Sequence, residues 1–223
     1  MRIAIAGLLT GTLLSFAAES QAAITFSAQG RVFAGATAAD PTDLNTQLSG
    51  QGIKPMSAIS HYGAEVAYPL LNVFEVGLRY SKKLLKQEES SSSLATDYYA
   101  QLDQDSLQLV GRIPVLKTSI LRLDGFGGIG GSNTTLKLKS AGVEGEWSRK
   151  DNSGWVAAPI SSYGGSLAIG WKPFYVVIEA GVESNKIKGL VKSGSVSTLD
   201  AIDLSGSFVN VGILINGAAV NSK

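Results

Sequence analysis

The chain has 223 residues, of which 44% are hydrophobic and 17% are charged, and its formal net charge is +1. This near-neutral balance gives no basis for nucleic-acid binding. The chain has no cysteine, which excludes disulfides and a lipid-modified N-terminal cysteine. Its 26 glycines and low charge content are unusual for a soluble domain, and its length fits one domain.

The first segment, "MRIAIAGLLTGTLLSFAAESQAA", predicts a cleaved secretory signal peptide at residues 1–22. Arg2 provides the positive start, an apolar run follows, and Ser20 and Ala22 are small residues at the cleavage site. An uncleaved N-terminal anchor is the alternative. The remaining 23–223 form the predicted domain, in which no apolar run reaches the about 20 residues that a membrane-spanning helix needs.

The segment "FEVGLRYS", which begins at Phe74, alternates between apolar and polar residues. Such a period of two predicts a β-strand with one apolar face and one polar face. In a soluble sheet the apolar face packs on a core, whereas in a lipid-embedded barrel it faces the acyl chains and the polar face lines the interior. A soluble lipocalin-like barrel or a sandwich, with Phe74 and Tyr80 buried and Glu75 and Arg79 exposed, is therefore the alternative.

The same alternation recurs along the chain and predicts eight strands. Apart from the strand that contains "FEVGLRYS", they lie at residues 24–38, 57–69, 98–113, 118–131, 160–172, 174–186 and 201–215. The predicted fold class is all-β: a closed antiparallel up-and-down transmembrane β-barrel with eight strands. Ten strands are the alternative if "TLKLK" and "GWVAA" form separate strands.

The predicted connections alternate in length. Short turns contain Pro69, Pro114 and Pro173, and four long polar loops span residues 39–55, 86–97, 137–155 and 188–200. Short turns on one side and long loops on the other are typical of bacterial outer-membrane barrels, whose short turns face the periplasm.

The alternation also assigns side chains to the two faces of the barrel. Ten charged residues, five of each sign, are predicted inside it: Arg31, Glu65, Glu75, Arg79, Arg112, Arg122, Asp124, Lys172, Glu179 and Glu183. Since an eight-stranded barrel is only wide enough to be filled by side chains, we expect these charges to pair and to plug it. Six aromatic residues are predicted to form two girdles on the lipid-facing surface: Tyr68, Phe74, Tyr80, Tyr163, Trp171 and Phe174.

The signal peptide, the eight alternating strands and segments such as "AYPLLNVFEVGLRYS" resemble the small outer-membrane barrels of Gram-negative bacteria related to the OmpA transmembrane domain and OmpX. This resemblance covers essentially all of 23–223. It implies location in the outer membrane, insertion by the barrel-assembly machinery, and contact with outer-membrane lipid and lipopolysaccharide. One departure is that the last strand is followed by "NGAAVNSK", whereas the family commonly ends on an aromatic residue.

These features predict a non-enzymatic protein that acts in envelope structure or in surface adhesion and recognition through its four long loops. A narrow outer-membrane channel and a lipid A-modifying enzyme are the alternatives. His61 is the only histidine, and the adjacent Ser60 faces the opposite side of a strand, so no catalytic residue is assigned.

No cofactor or metal residue is assigned either. "GFGGIGG" at residues 125–131 has a glycine spacing seen in dinucleotide sites, but no helix follows it. Asp103 and Asp105 form an acidic patch that is interpreted as a solvated strand end rather than as a site for a divalent cation.

Overall fold

The computed structural model describes residues 28–70, 73–90, 97–140, 142–150 and 157–216. The predicted signal peptide and the chain end after the last strand lie outside these ranges. The described elements are β1 (Gln29–Ala39), α1 (Thr42–Gly50), β2 (Ala58–Leu70), β3 (Phe74–Ser90), β4 (Asp97–Lys117), β5 (Leu121–Ser140), β6 (Val143–Arg149), β7 (Ala158–Trp171), β8 (Phe174–Ser184), β9 (Lys186–Lys188), β10 (Val191–Gly194), β11 (Ala201–Asp203) and β12 (Gly206–Asn216).

Eight of these strands form a closed antiparallel barrel, in the order β1, β2, β3, β4, β5, β7, β8 and β12. The barrel closes because β12 pairs with β1 over the whole length of β1, from Gln29 with Asn216 to Ala39 with Gly206. Closure leaves no open barrel edge, which is what a sheet surrounded by lipid requires. The predicted fold class is confirmed.

The wall of the barrel branches along β5. Residues 121–132 of this strand pair with β7, whereas residues 134–140 pair with β6, and β6 in turn pairs with β10. The sheet therefore has ten strands in total, although the closed wall has eight. "TLKLK" is the continuation of β5 rather than a separate strand.

Several predicted boundaries and turns are wrong. Pro114 lies within β4 and not in a turn, since the strand continues to Lys117 past a register shift between Pro114 and Leu116. A bulge of this kind accommodates a proline that cannot donate a hydrogen bond to the neighbouring strand. Pro69 likewise lies within β2, opposite Glu75.

The regions predicted as long loops contain regular structure. The first holds α1, the third holds β6, and the fourth holds β10. No helix within the described ranges is long and apolar enough to cross a membrane.

The side-chain pattern of β4 reverses along the strand. In its second half the outward residues are apolar, such as Leu107 and Leu109, and inward Arg112 is polar. In its first half, inward Ala100 and Leu102 are buried and apolar, and the outward residues are Gln101, Asp103 and Asp105. The barrel thus has a polar interior next to the short turns and an apolar interior next to the long loops. We call these two regions the plug and the cap.

Candidate functional site

The plug is an ion-pair network to which every wall strand contributes a polar side chain. The sheet register places these side chains next to one another, since Glu65 lies opposite both Arg31 of β1 and Arg79 of β3. Glu179 of β8 lies opposite Ser166 of β7 and Asn210 of β12. Closure of the barrel then brings the arginines of β3 and β4 within reach of the carboxylate of β8.

Glu65 is the central carboxylate of the network, and its side chain is fully buried. It accepts hydrogen bonds from Arg79 Nε at 2.8 Å and from Arg112 Nε and Nη2 at 2.6 and 2.8 Å. Both guanidinium groups also donate to Glu179, each over 2.8 Å. Two arginines and two glutamates therefore form one buried neutral unit.

Arg31 connects this unit to a second one. Its Nη2 donates to Asp124 Oδ2 over 3.1 Å, and its Nε lies 3.8 Å from Glu65 Oε1. Arg122 donates to Asp124 over 2.7 Å, to Glu75 over 2.5 Å and to Gln29 over 2.8 Å. All three nitrogen atoms of this guanidinium group are therefore engaged inside the protein.

The faces of two interior arginines also contact aromatic rings. Arg79 Cζ lies 5.0 Å from the centre of the Phe33 ring, and Arg112 Cζ lies 4.9 Å from that of Phe126. These cation–π contacts occupy guanidinium surface that no carboxylate covers.

The end of the plug nearest the cap holds a lysine–glutamate ion pair. Lys83 is buried and forms an ion pair with Glu183, whose carboxylate also accepts a hydrogen bond from Asn185 over 3.4 Å. Sequence reasoning missed Lys83, although it continues the inward parity of Glu75, Arg79 and Ser81 along β3. Nine of the ten predicted interior charges have buried or nearly buried side chains.

The interior position predicted for Lys172 is wrong. This residue is exposed in the turn between β7 and β8. If β7 continued, its alternation would direct Lys172 inwards. The strand ends one residue earlier, at Trp171, so the alternation does not reach Lys172. Lys83 takes its place in the charge balance, so the described plug contains five cations and five carboxylates.

His61 lies inside the barrel and is held by neutral partners. Its Nε2 lies 2.5 Å from Asn210 Oδ1, and its Nδ1 lies 3.3 Å from Thr37 Oγ1. Asn210 also donates to Glu179 over 3.1 Å. The histidine therefore bridges strands, and the hydroxyl within hydrogen-bonding reach is that of Thr37.

The plug leaves little free space. A cavity lined by His61, Lys83 and Glu183 measures about 20 Å³, and a second one beside Arg31 and Arg79 measures about 10 Å³. A cavity needs roughly 10–15 Å³ to hold one water molecule. Each of these two cavities therefore has room for one or two isolated waters rather than for a column of water.

The cap has an apolar core. It joins inward residues of β4 and β5 to side chains of α1, β6 and β11, including Leu44, Leu102, Leu136, Trp147 and Ile202. Trp147 is 1% exposed and donates from Nε1 to the Ser197 carbonyl oxygen over 2.8 Å. The cap thus has the buried contacts of a small folded domain and covers one end of the plug.

The outer surface of the wall is apolar where the interior is polar. The six aromatic residues predicted for the girdles are all exposed on it: Tyr68, Phe74, Tyr80, Tyr163, Trp171 and Phe174. Phe74 and Tyr80 are 37% and 43% exposed, whereas Glu75 and Arg79 are 2% and 5% exposed. This arrangement is the reverse of the soluble alternative, which is therefore wrong.

A polar groove of about 260 Å³ lies on the outer surface where β4, β5 and β6 extend into the cap. It is lined by residues that include Asp103, Asp105, Lys137, Glu146 and Lys150. Lys82 lies 3.1 Å from Asp103 and 3.6 Å from Asp105, so the acidic patch is neutralised in part. The described residues contain no group of three or more histidine, aspartate or glutamate side chains that could hold a metal ion.

The glycine-rich segment "GFGGIGG" lies within β5, where no helix follows it. Its residues pair with β4 and β7 across the barrel wall. The segment therefore lacks the helix N-terminus that a dinucleotide site requires.

Comparisons with known proteins agree with this architecture. No protein-family model and no curated protein matches the sequence. Among solved structures, Ail of Yersinia pestis, described as the attachment invasion locus protein, aligns with 86% of this chain and 99% of its own at 13% identity and a TM-score of 0.50. That structure is a complex with the heparin analogue sucrose octasulfate. A second Ail structure aligns over 86% and 98% of the two chains at 13% identity and a TM-score of 0.46.

CarO of Acinetobacter baumannii aligns with 86% of this chain and 98% of its own, at 14% identity and a TM-score of 0.40. At these identities the similarity concerns the fold. The protein has the closed eight-stranded architecture of small outer-membrane barrels.

Proposed function

We propose that the protein is a non-enzymatic barrel of the bacterial outer membrane that presents its cap as a recognition surface. The observation that carries this proposal is the filled, charge-balanced plug beneath a cap with its own apolar core. A closed interior leaves the outer surface as the part of the molecule that can meet a partner. Residues 1–22 would direct export, the barrel-assembly machinery would insert the chain, and lipopolysaccharide would surround the cap.

The polar groove is the part of the cap best suited to recognition. It lies on paired strands, so its side chains are held on a rigid framework, which lowers the entropy cost of binding. It combines Asp103 and Glu146 with Lys137 and Lys150, a mixture that suits a ligand with donors and acceptors, such as a glycan, more than a polyion.

Adhesion of cells that display the protein on glycan-coated surfaces tests this proposal. We expect the triple variant Asp103→Asn/Lys137→Gln/Glu146→Gln to lose adhesion while its heat-dependent gel mobility, which reports a folded barrel, is unchanged. The matched control neutralises three other exposed charges of the long-loop end, Lys139→Gln/Glu144→Gln/Lys188→Gln. Equal adhesion by the groove variant and the wild type would contradict the assignment of the groove.

The channel alternative is tested by conductance of the refolded chain in a planar bilayer. We expect no discrete conductance steps, because the plug cavities of about 20 and 10 Å³ do not form a water path. Gel mobility confirms that the barrel has folded and inserted. Reproducible steps from an inserted wild-type barrel would favour a channel over the proposed recognition function.

The enzyme alternative centres on His61. Because the imidazole is engaged by Asn210 and Thr37 inside the barrel, we expect no modification of lipid A. Mass spectra of lipid A from cells that express the wild type and His61→Ala should be identical. A lipid A species present only with the wild type would show that the protein is an enzyme.

A further inference from the structure

A cavity of about 450 Å³ opens at the short-turn end of the barrel, opposite the cap. The end of β4 provides Lys117, the turn after it provides Thr118 and Ser119, and the turn between β7 and β8 provides Lys172. The last residue of β12, Asn216, closes one side, and its backbone N–H donates to the Pro173 carbonyl oxygen over 2.9 Å. The cavity is therefore built from three separate parts of the rim.

The lining of this cavity is basic. It contains Lys117, Lys172 and Arg122, and none of its described lining residues is acidic. Arg122 already uses all three of its nitrogen atoms within the plug. The two lysines are exposed and have no ion-pair partner among the described residues. Residues 73–76, at the start of β3, contain one carboxylate, that of Glu75, and it is buried in the plug. The described part of the rim therefore has exposed cations and no exposed carboxylate beside them.

Two uncharged polar residues, Tyr175 and Asn216, also line this cavity. The hydroxyl of Tyr175 donates to the Ser119 carbonyl oxygen over 3.3 Å. Asn216 Oδ1 is buried and accepts no hydrogen bond within the described structure. The accessible charged groups of the site are therefore the two ammonium donors, Lys117 and Lys172.

Exposed apolar side chains surround the cavity on the outer surface. Trp171 is 76% exposed and lines the cavity, and Ile120 and Phe174 are exposed on the neighbouring turn and strand. Tryptophan at the edge of an apolar wall is typical of the membrane–water interface. A molecule in this cavity can therefore place a polar group between the lysines and an apolar group along the wall.

We propose that this cavity binds the phosphodiester headgroup of an anionic phospholipid such as phosphatidylglycerol. Lys117 and Lys172 bind the phosphate oxygens, and the acyl chains follow the wall past Trp171. Basic pockets at the membrane surface are known to hold such headgroups. This inference rests on the proposed function, because it requires the short-turn end to lie at the phospholipid leaflet.

Native mass spectrometry of the folded barrel from detergent micelles tests the proposal. The micelles contain equal amounts of phosphatidylglycerol and phosphatidylcholine, and the ratio of the two retained lipids is measured. A basic residue near an anionic surface contributes about fivefold in affinity, so two lysines predict a preference of up to about 30-fold. We expect Lys117→Gln/Lys172→Gln to reduce this preference to about one.

The matched control is Lys139→Gln/Lys188→Gln, which removes two exposed lysines at the opposite end of the barrel. Its lipid preference should equal that of the wild type. A wild-type barrel without preference, or a rim variant that keeps it, would overturn the proposal, as would an equal loss in the control. Displacement of the lipid by millimolar inorganic phosphate would overturn the lipid assignment and indicate a site for free phosphate.

Failure of the rim-site proposal can be distinguished from failure of the proposed function. A chain that fails to insert into bilayers, as read by gel mobility, contradicts the outer-membrane barrel itself. A chain that inserts, remains silent in conductance and shows no lipid preference contradicts only the rim site.

Discussion

Removal of the central carboxylate by Glu65→Gln should strongly destabilise the barrel. Glu65 accepts three hydrogen bonds from Arg79 and Arg112, and its side chain is fully buried. The glutamine keeps one acceptor oxygen but leaves the plug with a surplus positive charge. Since removal of one partner from a buried ion pair costs about 3–5 kcal/mol, we expect a loss of that size in the free energy of unfolding.

The double variant Glu65→Gln/Arg112→Gln separates charge balance from the loss of contacts. It leaves four cations and four carboxylates in the described plug, so its free-energy loss should be smaller than the sum for the two single variants. Residues in direct contact typically show an interaction energy of about 0.5–3 kcal/mol, and we expect a value near the upper end.

Urea unfolding of the refolded barrel in lipid vesicles, followed by tryptophan fluorescence, measures these free energies. Glu144→Gln removes an exposed carboxylate of the cap and serves as the control, with an expected change within about 0.5 kcal/mol. If Glu65→Gln stays within about 1 kcal/mol of the wild type, water or a local rearrangement neutralises the plug, and the reasoning from buried ion pairs is refuted.

Three further results are expected. Trp147→Ala should cost about 3–5 kcal/mol in the cap and speed its cleavage by added protease, while Trp171→Ala, an exposed control, should not. Ile113→Lys, on the exposed apolar wall close to halfway between Leu107 and the end of β4, should reduce the free energy of folding into vesicles by about 2–4 kcal/mol, whereas Gln101→Lys, outward on the cap half of the same strand, should change it little. His61→Phe should destabilise the barrel by about 1–3 kcal/mol in urea unfolding, since Asn210 Oδ1 and Thr37 Oγ1 both lose the imidazole as a buried hydrogen-bond partner.

Local alternation in the sequence accounts for the wall strands and for the inward positions of most plug residues. The parity that assigned Glu75 and Arg79 to the inside is a property of neighbouring residues and needs no tertiary information. The same rule placed Lys172 wrongly because alternation applies only while the strand continues, and β7 ends one residue earlier, at Trp171. Lys83 could not be assigned by the same rule because the alternation is lost in "KKLL" at residues 82–85, where neighbouring residues have the same character.

The cap could not be predicted in this way. Its apolar core joins residues from α1, β4, β5, β6 and the fourth long-loop region, which lie far apart in the chain. Leu44 and Leu48 within a polar segment carry only a weak helical pattern, and the sequence therefore predicts a loop there. One local signal was present: in "AQLDQDSLQL" the apolar residues change from even to odd positions between Leu102 and Leu107.

This change of parity has a physical cause that locates the membrane. Where water surrounds the wall, apolar side chains are stabilised inside, and where lipid surrounds it, they are stabilised outside, so the favoured face of a continuous strand must reverse at the boundary between the two. On β4 the outward residues change from Asp105 to Leu107, and the outward apolar stretch then continues to the end of the strand at Lys117. The stretch from Leu107 to Lys117 matches the about 9–11 residues with which a tilted strand crosses a bilayer. The reversal therefore places the lipid surface beside Asp105, with the groove and the cap on the aqueous side and the plug at the depth of the membrane.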